Sequence, residues 1–121
     1  MEKKTHFIGS SRDDISGFPE EVRAVVGFAI YEAQLGGKSA AAKPLKGFKG
    51  ASVLEVVEDY DRDTYRAVYT VRFAGAVYVL HAFQKKSKKG VKTAKHDIDL
   101  IRERLNAAAE HHAKHYKGKL K

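Results

Sequence analysis

The sequence predicts an α+β fold, an antiparallel sheet with two N-terminal helices and one C-terminal helix, and three features carry that prediction. Val22, Val25, Val26, Ala29, Ile30 and Ala33 recur at the spacing of one helix face. Three strand-like runs follow, residues 52–58, 64–73 and 76–83, separated only by short turn segments. A second apolar stripe, Ile98, Ile101, Leu105 and Ala108 or Ala109, marks a helix after the strands. Strands grouped in sequence pair as an antiparallel sheet, with helices on one face and the opposite face left as a binding surface.

Each element has its own local cause. Residues 5–10 read as a short opening strand. Ser10-Ser11-Arg12-Asp13-Asp14 offers a hydroxyl N-cap with an acid three residues on, so a short helix starts there and breaks near Gly17. Pro19 suits the first turn of the second helix, where Glu20 and Glu21 face the positive end of the dipole. Gly36-Gly37 end it. The stretch 38–50 is small, basic and glycine-containing and reads as a connecting loop. Asp59-Tyr-Asp-Arg-Asp63 separates the first two strand runs, and Ala74-Gly75 turns the second into the third. The last helix runs from Thr93 or Lys95 to His115. Without internal repeats or a composition break, residues 1–121 form a single domain.

A net charge of +8 points to a polyanionic partner or to an acidic protein that masks the charge. The absence of cysteine excludes disulfides and thiolate chemistry. No apolar run is long enough for a signal peptide or a membrane span, so the expected location is the cytoplasm, with no membrane partner.

Charge concentrates directly after the third strand run, where Lys85, Lys86, Lys88, Lys89, Lys92 and Lys95 follow one another with no carboxylate among them. Such a cluster repels itself but grips phosphates, because each neutralised phosphate releases counterions. With a two-residue turn at Ala74-Gly75, Arg66 lies opposite Phe83. Arg66, Val68, Thr70 and Arg72 then share a face with Val77, Val79, His81 and Phe83, beside the lysines. A longer turn shifts that register. Arg66 is either a fork for a phosphate or the partner of Glu55 or Glu58. His81 is either a proton carrier or a hydrogen-bonded core histidine, and His111, His112 and His115 read as solvated. His111 and His115 have zinc-helix spacing but lack a third ligand, so neither a metal nor another cofactor is expected.

Several motifs in order resemble a known family: Phe18-Pro-Glu-Glu-Val-Arg, Pro44-Leu-Lys-Gly-Phe-Lys-Gly, Leu54-Glu-Val-Val, Thr64-Tyr-Arg-Ala-Val-Tyr, the run from Val79 through Gly90, and Asp97-Ile-Asp-Leu-Ile. The series is similar to the RelE/ParE superfamily of toxin–antitoxin toxins, in its phage-derived, HigB-like branch. The resemblance implies a small RelE-like fold and metal-independent mRNA cleavage, usually on the translating ribosome. It also implies neutralisation by an antitoxin with an Xre-type helix-turn-helix domain. By the same resemblance Arg66 falls where these toxins keep a phosphate-binding arginine, and Lys85 and Lys86 where they keep a basic residue past the last long strand. Arg66, Lys85, Lys86 and His81 are thus the expected catalytic residues. Lys88, Lys89, Lys92, Lys95, Phe83 and Arg72 are the expected RNA-binding ones. Two departures stand out: Glu55 and Val57 occupy positions of RelE-type lysines, and no tyrosine occurs between Lys92 and His96. A ParE-like gyrase inhibitor and a non-enzymatic nucleic-acid or antitoxin-binding protein are the alternative functions for the same basic face.

Overall fold

The structure, a computed structural model, describes residues 2–50, 52–85 and 93–116. The expected RNA-contacting residues Lys88, Lys89 and Lys92, and the expected catalytic Lys86, lie outside the described residues.

The chain opens with strand β1 (Lys4–Phe7) and helix α1 (Ser11–Ser16). Ser10 occupies the N-cap position, but its hydroxyl donates to the Asp14 carboxylate at 2.8 Å and caps no backbone amide. Helix α2 (Glu20–Gln34) starts after Pro19 and ends at Gly36, whose φ of +90° suits only a residue without a side chain. Phe28, Tyr31 and Leu35 lie exposed on its outer side.

The stretch expected to be pure loop contains strand β2 (Ala42–Pro44), which pairs with strand β3 (Val53–Tyr60). Ala-Lys-Pro carries no strand signature, and the proline is tolerated because β2 lies at the sheet edge. β3 and strand β4 (Asp63–Thr70) meet through a two-residue turn, Asp61-Arg62, with both φ values positive. Strand β5 (Ala76–Lys85) follows a longer connection than the expected Ala74-Gly75 turn, and helix α3 (Lys95–His115) closes the chain.

The sheet order is β1-β5-β4-β3-β2, antiparallel except for the parallel β1–β5 edge. Helices cover both faces, which corrects the expectation of one open face. On one face Val22, Val26, Ala29 and Ala33 of α2 pack with Ala67, Tyr69, Val77 and Val79. On the other, Ile101, Leu105 and Ala108 of α3 pack with Val53, Val68, Tyr78 and Leu80.

A bulge in β5 produces this division. Arg66 pairs with Phe83 and Val68 with His81, but Tyr69 pairs with Val79, so Leu80 is an extra residue. The expected Arg66–Phe83 pairing holds at the outer end. Beyond the bulge the alternation is reset, which sends Val77 and Val79 to the α2 side and Tyr78 and Leu80 to the α3 side.

Candidate functional site

The α3 face of the sheet carries a cavity beside the start of α3, toward β2. There Lys43 and Lys46 rim a groove of about 520 Å³ whose walls include Glu55, Arg66, Thr93 and Ile98. Alternation places Arg66 here, since it shares a side of β4 with Val68, which packs under α3. Arg66 is 6% exposed. A cation so buried needs partners, and its Nη1 donates to Glu55 Oε2 at 3.2 Å and to Thr93 Oγ1 at 3.0 Å. Thr93 Oγ1 donates in turn to the same Glu55 oxygen at 2.7 Å. The Glu55 pairing weighed from sequence is therefore present, and Thr93 joins it. The triad is near neutral, and the positive potential of the groove comes from its rims.

His81 lies on the same side, stacked on the Phe83 ring at 4.6 Å between centroids. Its Nε2 bonds Asp97 Oδ1 at 2.9 Å, and its Nδ1 faces Arg104 Nη1 at 3.4 Å. Arg104 can only donate, so Nδ1 accepts and the Nε2 proton points at Asp97. Both ring nitrogens are engaged inside the protein, and the residue is buried. That geometry matches the core-histidine reading, and Arg104 also ties this ring to the Leu80 carbonyl at 3.0 Å.

Of the other expected residues, Lys85 pairs across the sheet with Thr64 at the open end, and half-buried Phe83 lies between it and His81 along β5. Lys95 begins α3 and forms an exposed ion pair with Asp99 at 2.9 Å. Arg72 lies past the end of β4, away from Lys85, with its Nε donating to Ser52 Oγ at 3.1 Å. Arg66, His81, Phe83 and Lys85 thus share one area, whereas Arg72 belongs to a neighbouring cavity with Phe48, Lys49 and Arg102. Sequence reasoning missed Thr93, Arg104 and the cations of residues 43–49; the alternating basic and glycine residues of that stretch were the available signal.

The histidines of the last helix are not simply solvated. His112 is 5% exposed, and its Nε2 bonds the Ala74 carbonyl at 2.8 Å. His111 Nδ1 meets the Tyr78 hydroxyl at 2.7 Å, and His6 Nε2 meets the Tyr116 hydroxyl at 2.7 Å. Burial, then the neighbouring imidazoles and lysines, holds His6 and His111 below the ordinary histidine value. Burial pushes the Tyr78 hydroxyl up to about 12, so it stays protonated beside His111. Among the described residues no set of three histidines or carboxylates is placed to hold a metal ion. No described helix is long and apolar enough to cross a membrane.

The family model for phage-derived protein Gp49-like matches residues 13–106. The chain belongs to that family. All six motifs of the sequence resemblance begin inside the matched span, and the expected RelE/ParE kinship, in its phage-derived branch, holds. Among solved structures, this Gp49-like protein is similar to a doubly substituted toxin RelE of E. coli in the free state. The identity is 16% and the TM-score 0.55, over 88% of this chain and 98% of that one, which shows the RelE fold. It is also similar to the toxin–antitoxin complex RelBE2 of Mycobacterium tuberculosis, at 21% identity and a TM-score of 0.47, over 70% of this chain and 100% of that one. No curated protein matches the sequence.

Proposed function

We propose that this Gp49-like protein is the toxin of a type II toxin–antitoxin pair and cleaves mRNA on the ribosome without a metal ion. The observation that carries the reading is the buried Arg66 guanidinium in the wall of an open groove, held by Glu55 and Thr93 and overlooked by Lys43 and Lys46. A guanidinium whose Nη1 is held by two partners is restrained in orientation, which suits a phosphate that must be aligned for attack.

In the proposed reaction the ribose 2′-oxygen forms a bond to phosphorus while the bond from phosphorus to the 5′-oxygen breaks. The products are a 2′,3′-cyclic phosphate and a 5′-hydroxyl end. Arg66, Lys85 and Lys86 stabilise the charge that accumulates on the phosphoryl oxygens. A deprotonated lysine of the cluster, or exposed His96, takes the 2′-hydroxyl proton, and a neighbouring ammonium protonates the departing 5′-oxygen. His81 acts as a positioning residue, holding Phe83 and the start of α3. The partner is an Xre-type helix-turn-helix antitoxin that covers the basic face, and the protein works in the cytoplasm, where the ribosomes are.

Expression of the chain without its antitoxin is expected to arrest growth with mRNA cleavage, and Lys85→Ala/Lys86→Ala is expected to abolish both. Arg66→Lys keeps the charge and loses the fork, so cleavage falls by about 100-fold or more while the protein stays folded. An active Arg66→Lys variant leaves the Glu55 pair as a purely structural contact and removes the clamp from the mechanism. A DNA-damage response without mRNA cleavage overturns the ribonuclease reading in favour of gyrase inhibition.

A further inference from the structure

The groove at Arg66 reaches Gly47. Gly47 also lines a second cavity of about 580 Å³, bounded by Phe48, Lys49, Arg72, Arg102 and Leu105. The two cavities adjoin at Gly47 and together make a basic trough along residues 43–49. Five cations stand along it, Lys43, Lys46, Lys49, Arg72 and Arg102, and none of them forms an ion pair among the described residues. Its carboxylate, Glu55, is committed to Arg66 and Thr93.

The trough is also braced. Arg102 Nη2 donates to the Gly47 carbonyl at 2.7 Å, and its guanidinium lies over the Phe48 ring at 4.5 Å from the centroid. The Leu45 amide donates to the Val53 carbonyl at 2.9 Å, so the start of this segment continues the β2–β3 pairing. Arg72 is held by Ser52. These contacts fix the two arginines and the start of the segment, and they leave the charge of the arginines uncompensated. An arginine stacked on an aromatic ring beside unpaired cations is the arrangement on which unpaired bases and their phosphates bind.

We propose that this trough is a second RNA subsite, which holds the single-stranded segment flanking the phosphate at Arg66. The inference rests on the ribonuclease reading for its substrate but not for its test. A base stacks at the Phe48–Arg102 pair, while Lys46 and Lys49 neutralise the adjoining phosphates. Any site built on base faces and flexible backbone favours single strands over duplex.

The test uses purified full-length protein, a fluorescent unstructured RNA 12-mer, a duplex of equal length and a polyglutamate peptide. Wild type, Lys43→Gln/Lys46→Gln/Lys49→Gln and the corresponding triple arginine variant are compared by anisotropy over a salt series. The substituted lysines are exposed, so the fold is retained. The glutamine variant should bind the single strand at least tenfold more weakly, and its log–log salt slope should drop by about 2, at about 0.7 per lost contact. The arginine variant should bind as wild type does, and the duplex more weakly than the single strand. Phe48→Leu should weaken single-strand binding and leave the salt slope unchanged. Unchanged RNA affinity in the glutamine variant overturns the proposal. So does a loss confined to polyglutamate, which assigns the trough to an acidic protein segment instead. Trough-dependent RNA binding without any cleavage keeps the subsite and defeats the ribonuclease reading; cleavage with a dispensable trough does the reverse.

Discussion

At its N-terminal end α3 meets charged groups, and at its C-terminal end it meets uncharged ones. The first end buries Arg66 against Glu55 and Thr93, and His81 against Asp97. The second stacks His112 on Tyr116 at 4.6 Å and brings His6, His111 and Tyr78 together. Both ends satisfy polar groups in a confined space, but by opposite means. The charged end balances a cation with an anion and opens onto a basic groove, so another anion can compete for the cation. The histidine end works while His6 and His111 stay unprotonated, because two charged rings with centroids 4.7 Å apart repel each other. A polar cluster poised for an anionic ligand therefore differs from one that only joins β1 to α3.

The broadest way to break this contrast is to loosen what both ends share. Ile101 is fully buried between them, and Ile101→Ala should lower stability by about 2–5 kcal/mol in denaturant titration. Activity and the histidine contacts should then fail together.

A sharper probe separates the ends. Glu55→Gln removes the anion that competes with a phosphate for Arg66 and keeps a hydrogen-bond acceptor. Stability should fall by about 1–3 kcal/mol, since the guanidinium loses a charged partner. Affinity for single-stranded RNA should rise at the same time. A Glu55→Gln variant that loses both stability and RNA affinity makes the orienting effect of the carboxylate on Arg66 larger than its competition with a phosphate.

The smallest effect concerns pH and belongs to the histidine end. His6 and His111 sit below the ordinary value of 6.5 in the folded protein, so on acidification the unfolded chain takes up protons first. Their contribution to stability is full above pH 6.5 and is lost as pH falls through the folded values. The melting temperature should decline across that window, and His111→Gln should flatten the decline. An unchanged slope in that variant places the pH dependence elsewhere.

The long elements were legible in the sequence because their periodicity is strong: α2, α3 and the β3–β4–β5 meander follow from the apolar spacing. The pairing of Arg66 with Phe83 was expected from a two-residue turn that does not form; it holds because the bulge at Leu80 offsets the register of the longer connection. Strand β2 was not legible, because Ala42-Lys-Pro44 becomes a strand only by pairing at an edge. The coverage of the second face was hidden as well, because the apolar stripe of α3 does not say which side of the sheet it meets. His6 and Tyr116 touch across a separation of 110 residues, a contact set by β1 lying parallel to β5 and invisible to any local pattern. At the candidate site, the cations came from residue type, while the Thr93 and Arg104 contacts needed the tertiary fold.

The extra residue in β5 makes one strand behave as two rulers joined half a step out of phase. Up to Val79 the graduations are set by two apolar layers, and every change there is felt in a core. From His81 to Lys85 the alternation puts His81, Phe83 and Lys85 on the side of Arg66, while Ala82 stays in the α2-side core. The phase slip uncouples the two scales. Substitutions at Phe83 or Lys85 therefore leave the packing of Val77 and Tyr78 undisturbed.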